Sequence, residues 1–141
     1  MKHEELTHDI IGCAMKVHSA LGNGFQEVIY QRALGYEMDL QKLNYAREVD
    51  MDVFYRDIIV GSRRVDFLID QKLSVEIKAI KTLEDVHLAQ AMNYLEAYNL
   101  EVALLINFGA RSLDFKRVHN KKFKGDGFKG NPRHPKSGNF D

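Results

Sequence analysis

Apolar positions along this chain fall first at helical and then at strand spacing. Leu6, Ile10, Ile11, Ala14, Val17 and Leu21 recur at intervals that place them on one face, which predicts an amphipathic helix over 4–21. Gly22-Asn23-Gly24 supplies its stop. Val28, Ile29, Ala33, Leu34, Met38 and Leu40 mark a second helix over 26–42, weakened internally by Gly35. From Ala46 the period changes to two. Val49, Met51, Val53 and Tyr55 alternate with polar neighbours, and Arg56-Asp57 reads as a turn. Residues 58–60 and 64–69 predict a second strand, bent at Gly61-Ser62, and Asp70-Gln71-Lys72 connects it tightly to a third over 73–80. Three such runs predict an antiparallel meander. A third helix follows over 83–98, with Thr82 as N-cap and Asp85 in the capping-box position. Val102-Ala103-Leu104-Leu105-Ile106 predicts a buried strand and 113–118 a last strand at a sheet edge. The order ααβββαββ implies an α/β fold, a mixed sheet flanked by helices.

Composition narrows the class. The chain has 141 residues, 45% of them apolar and 28% charged, enough for one domain with a real core. No apolar run approaches the roughly 18 to 20 residues that span a bilayer, and no membrane partner is expected. The single cysteine, Cys13, excludes an internal disulfide and a cysteine-built zinc site, and fits a reducing cytoplasm. Net charge is zero but uneven. Residues 1–110 carry 11 Lys+Arg against 17 Asp+Glu, and residues 111–141 carry 9 against 3. The acidic body repels a phosphate backbone and the basic end attracts one. Residues 120–141, rich in Gly, Lys, Asn and Pro, read as a flexible basic tail outside a domain over 1–119.

Two strands carry residues that burial makes costly. Asp66 interrupts Val65-Asp66-Phe67-Leu68-Ile69, and Glu76 and Lys78 interrupt Val75-Glu76-Ile77-Lys78-Ala79. Isolated charges in buried strands cost several kcal/mol unless paired or metal-bound. Side chains two apart on a strand share a face, so Glu76 and Lys78 project together, away from apolar Val75, Ile77 and Ala79. A short turn at 70–72 brings Asp66 near Glu76. Two carboxylates and a backbone carbonyl, at Ile77, suit a hard divalent cation, Mg²⁺ or Mn²⁺. Such an ion lowers the pKa of a bound water and offsets charge on phosphorus, while Lys78 can orient the water or stabilise the transition state. A structural salt bridge on a solvated face is the competing reading.

These residues resemble a known motif. Asp66, Glu76-Ile77-Lys78 and the strand–strand–helix context are similar to the core of the PD-(D/E)XK nuclease superfamily, and Gly24-Phe25-Gln26-Glu27-Val28-Ile29-Tyr30 resembles the signature of its GxxExxY family. The similarity continues through Gln90-Ala91-Met92-Asn93-Tyr94-Leu95 and Leu105-Ile106-Asn107-Phe108-Gly109, and covers residues 4–118. Val65 stands where the motif has its proline. The resemblance implies a restriction-endonuclease-like fold and metal-dependent hydrolysis of phosphodiester bonds in DNA or RNA. It implies Asp66 and Glu76 as metal ligands, Lys78 as the catalytic lysine, Glu27 as a further acid, and Gln90 as an accessory polar residue beside the lysine.

Other readings stand beside these. Glu27 also suits a helix N-terminus through the dipole. Gln90 reads equally as an exposed helix residue, and Tyr30 and Tyr94 as packing residues. Arg63 and Arg64 meet phosphates or face solvent. His8, His18 and His87 have no metal-ligand spacing and read as structural or surface residues, and Cys13 as a small core residue. A nuclease-fold module that binds nucleic acid or a protein without cutting is the alternative function. A homodimer would enlarge the substrate-contacting area of so small a domain.

Overall fold

A computed structural model describes residues 2–125, 127–129 and 132–133. The elements run α1 (Lys2–Leu21), α2 (Glu27–Leu40), β1 (Ala46–Tyr55), β2 (Ile58–Ile69), β3 (Leu73–Lys78), α3 (Asp85–Tyr98), β4 (Val102–Asn107), β5 (Asp114–His119) and the two-residue β6 (Pro132–Arg133). The expected order ααβββαββ is present, with β6 added to it. The sheet order is β5-β4-β3-β2-β1-β6. β1, β2 and β3 form the antiparallel meander, β3 and β4 are parallel, and β5 returns antiparallel to β4 at the edge of the main sheet. Parallel neighbours need a crossover, and α3 provides it.

The sheet separates two cores. On one face α1 and α2 bury Ile10, Ala14, Tyr30, Leu34 and Met38 against Phe67, Val75, Ile77, Leu104 and Ile106. On the other, α3 buries Ala91, Leu95 and Tyr98 against Val49, Met51, Leu68, Ala103 and Leu105. All six residues of β4 are buried, with successive side chains entering opposite cores, as the continuous apolar run requires. Each such Leu, Ile or Val contributes roughly 1.5–3 kcal/mol on burial.

Local details depart from the sequence expectation in two places. α3 begins two residues later than its apolar pattern, with Glu84 rather than Thr82 as N-cap, because the His87 ring Nδ1 accepts the Glu84 N–H at 2.9 Å. β2 is one strand through Gly61-Ser62, and its irregularity falls one residue earlier, at Val60, which is skipped where Val53 pairs with Gly61 and Phe54 with Ile59. The 70–72 connection is tight because Asp70 and Gln71 both take positive φ (55° and 54°), the primed-turn geometry that matches strand twist, closed by Lys72 N–H on the Ile69 carbonyl at 3.1 Å.

The described part of the expected tail is tied to the domain. Asn120 is buried and its amide donates to the Leu95 and Leu100 carbonyls, Lys129 N–H donates to the Tyr98 carbonyl, and Phe128 packs on the α3 core. β6 pairs with Asp50 and Met51 of β1. Residues 126, 130, 131 and 134–141 lie outside the described residues. Among the described residues no helix is long and apolar enough to cross a membrane.

Candidate active site

The carboxylates sit where two strands part. β2 and β3 pair through Ile69–Leu73, Leu68–Ser74 and Phe67–Val75, and the ladder ends there. Beyond it β2 continues beside β1 alone, while β3 continues beside β4 as far as Lys78–Asn107. Asp66 and Glu76 are the first residues past the last pair. The Ile77 N–H, at the mouth of this fork, is taken by Asp66 Oδ2 at 2.8 Å. A distortion of β1 lies directly across from Asp66, where Glu48 adopts a positive φ of 54°. Val65 and Phe67, two apart on β2, consequently enter opposite cores.

Asp66 is held from the α2 side as well. Gln31, buried on α2, donates through Nε2 to Asp66 Oδ1 at 2.8 Å. Burial pushes the Asp66 carboxyl above its ordinary pKa. The Ile77 and Gln31 hydrogen bonds oppose that rise, and the charges of Glu76 and Glu27 add to it. Glu27 is the first residue of α2, exposed, one turn before Gln31. It belongs to the negative field at the fork without touching Asp66 through a hydrogen bond.

Glu76 is 8% exposed and faces the α3 side. Its Oε1 accepts a hydrogen bond and ion pair from Arg63 Nη2. The Arg63 guanidinium in turn lies over the Tyr94 ring of α3, 3.4 Å from its centroid. Lys78 is partly buried, two residues beyond Glu76 on the same face. Its backbone is fixed from β4. Phe108 N–H donates to the Lys78 carbonyl at 2.8 Å, and Asn107 Oδ1 accepts from both Ile80 and Gly109 N–H at 3.0 Å. Gly109 has to be glycine, since a Cβ there would meet the backbone of Ile80 and Ala79. Gln90 is exposed on α3, one turn before Tyr94, and among the described residues it makes no hydrogen bond to the carboxylates.

With that geometry in place the family is settled by the match of residues 4–118 to the model of the PD-(D/E)XK nuclease superfamily. The chain belongs to this superfamily. No curated protein and no solved structure matches it. Superfamily membership supports a nuclease-type function in general, and divalent metal ions are the general cofactor of nucleases of this superfamily. The donor set fits such an ion. Asp66 and Glu76 offer hard oxygen donors, and a cation already stands against Glu76 in the form of Arg63. Among the described residues no three His, Cys, Asp or Glu side chains are assembled to hold a metal on their own.

Several candidates resolve as structural. The Tyr30 hydroxyl donates to the Gly22 carbonyl at 2.6 Å and accepts from Phe25 N–H at 3.0 Å, and its ring stacks on Phe108. It shapes the turn that leads into α2. His18 donates to the Ala110 carbonyl, and His87 caps α3. Cys13 is buried, and burial raises its thiol pKa, which suits a core residue and not a nucleophile. Arg64 faces solvent and pairs with Asp50 through Nε at 2.8 Å and Nη2 at 3.2 Å. Arg63 does not face solvent, being drawn inward to Glu76. Gln31 escaped the sequence reading, although its place four residues after Glu27 in an otherwise apolar helical face was the available signal. A cleft of about 450 Å³ lined by His3, Thr7, His8, Val102, Arg117 and His119 holds none of the fork residues.

Proposed function

We propose that this domain is a GxxExxY-type nuclease that hydrolyses phosphodiester bonds of DNA or RNA with Mg²⁺ or Mn²⁺. The observation that carries the reading is the fork, where two strands separate and leave Asp66 and Glu76 adjacent with Lys78 next along β3. Asp66, Glu76 and the Ile77 carbonyl are the residues that would hold the ion. When bound, it supplies a water of lowered pKa and a counter-charge for the developing phosphorane oxygens. The chain's own contributions are distinct. Gln31 and the Ile77 N–H orient the Asp66 carboxylate. Lys78, its backbone fixed by Phe108, presents an ammonium to the attacking water or the scissile phosphate. Glu27 extends the acidic field, and the family resemblance assigns Gln90 on α3 the accessory polar role.

The test is cleavage of single- and double-stranded DNA and RNA with and without Mg²⁺. Glu76→Ala and Lys78→Ala are each expected to lower the rate by about a hundredfold or more. Metal-dependent cleavage that survives undiminished in both variants would overturn the assignment.

One observation favours a second reading, a nuclease-fold module that binds without cutting. Both Asp66 oxygens and Glu76 Oε1 are already engaged by protein donors. Calorimetry decides between the two, since a non-cutting module of this kind takes up neither Mg²⁺ nor Mn²⁺ at millimolar metal.

A further inference from the structure

We propose that Arg63 is a counter-ion latch on Glu76, holding that carboxylate while no divalent cation is bound and yielding it when one arrives. The inference rests on the metal-site reading above and adds how occupancy of that site is controlled.

Three observations carry it. The Arg63–Glu76 pair is nearly shut off from water, with the two side chains 12% and 11% exposed, so the guanidinium neutralises a carboxylate that would otherwise be buried and charged. The cation is also held by α3, its guanidinium carbon lying over the Tyr94 ring at 3.4 Å from the centroid, which selects arginine over lysine. The third observation separates a latch from a permanent structural pair. Arg63 Nη1 is buried and has no hydrogen-bond partner among the described residues. A buried guanidinium placed only for stability would have its donors satisfied. This one is held at Glu76 and Tyr94 with Nη1 left unsatisfied, which makes it a cation that a better ligand-seeking cation can replace.

Neighbouring Arg64 shows the contrast. It lies on the opposite face of β2, is 59% exposed at its side chain, and makes an ordinary two-point surface pair with Asp50. Strand alternation therefore divides two adjacent arginines between solvent and site. Only the one aimed at the site contacts a candidate metal ligand.

Competition sets the expected size of the effect. If the latch is closed about nine-tenths of the time, apparent metal affinity is lowered about tenfold. Titration calorimetry of Mg²⁺ and Mn²⁺ into the full chain tests this directly. Arg63→Gln, which keeps much of the stem, is expected to bind about tenfold more tightly than wild type. Tyr94→Leu leaves the ion pair in place but removes its backing, and is expected to tighten binding about two- to fivefold. In wild type, the Arg63 Nε–Hε NMR resonance should shift as Mg²⁺ is added. Unchanged or weaker affinity in both variants, with binding still lost in Glu76→Gln, overturns the latch and leaves the metal site standing. Absence of metal binding in wild type and Arg63→Gln alike overturns the metal-site reading and the latch together. Circular dichroism checks that each variant folds, and Tyr94→Leu gives an independent answer should Arg63→Gln not fold.

Discussion

The two halves of β2 both carry a cluster of apolar side chains and meet opposite fates. In the inner half Val65, Phe67, Leu68 and Ile69 are buried, whereas in the outer half Ile58, Ile59 and Val60 are 65%, 55% and 60% exposed. The difference is their neighbours. The inner half lies between β1 and β3 with helices over both faces, while the outer half, among the described residues, has β1 alone and no helix packed on it. Hydrophobicity along a strand thus reports its capacity for burial, and topology decides whether burial occurs. The candidate site occupies the boundary. Arg63 and Asp66 belong to the stretch where β2 has just lost β3 as a partner, and that loss is what frees space for charged side chains inside an otherwise apolar sheet.

The largest test of this contrast is truncation in each half. Phe67→Ala removes a fully buried ring and is expected to cost about 3–5 kcal/mol, while Ile59→Ala is expected to change stability by about 0.5 kcal/mol or less. Urea denaturation measures both, and similar values would break the distinction between the halves.

The opposite prong of the fork gives the next effect. Gly109→Ala forces a methyl group into the backbone that follows Lys78, and is expected to cost about 1–3 kcal/mol. Because that backbone carries Lys78, cleavage should fall further than the loss of folded protein explains. Activity measured per folded molecule, well below the melting transition, checks this.

At the boundary itself the effect depends on pH. Burial raises the Asp66 pKa in the folded chain, so the folded state binds more protons than the unfolded state between the two pKa values. Stability of the metal-free protein therefore falls as pH rises through that window, and the cost of the ionised group is fully present above it. Asp66→Asn should stabilise the metal-free protein at neutral pH, with the gain shrinking as pH falls through the raised Asp66 pKa and gone below the ordinary aspartate range. Asparagine can be accommodated by turning over the Gln31 amide, whose buried Oε1 is free to accept. Denaturation midpoints at acidic and neutral pH in the presence of a chelator check the sign. The smallest effect is expected at the turn that joins β2 to β3. Gln71→Gly relieves a positive φ and should add about 0.4–1 kcal/mol by thermal melting, balanced in part by entropy of the unfolded chain.

Much of this architecture was legible in the residues. Six of the helical and strand segments follow directly from periods of 3.6 and 2, and the doubly buried β4 follows from an unbroken apolar run. Asp66, Glu76 and Lys78 stood out because each is a charge in an apolar strand. What stayed hidden depended on contacts across long sequence separations. Arg63 looks like any charged strand residue until Tyr94, 31 positions later, is laid over it by the crossover. Gln31 looks like a surface amide until Asp66 approaches α2. Asn120 and Phe128 sit in a stretch whose Gly and Lys content suggests no packing, and their anchors are carbonyls at the end of α3 and a core surface that composition does not reveal. The cap of α3 was misplaced because a histidine ring, not an acid, completes it.

The short turn at Asp70–Gln71 acts as a ruler. Only three residue pairs separate it from the fork, so the count of residues around it fixes which side chain of β2 stands across from Glu76. Adding one residue to either prong would present Val65 or Phe67 in place of Asp66 and turn the acid toward the other side. Insertions should therefore be tolerated at the exposed end of the β1–β2 ribbon and forbidden in this turn, although both are surface loops of similar length.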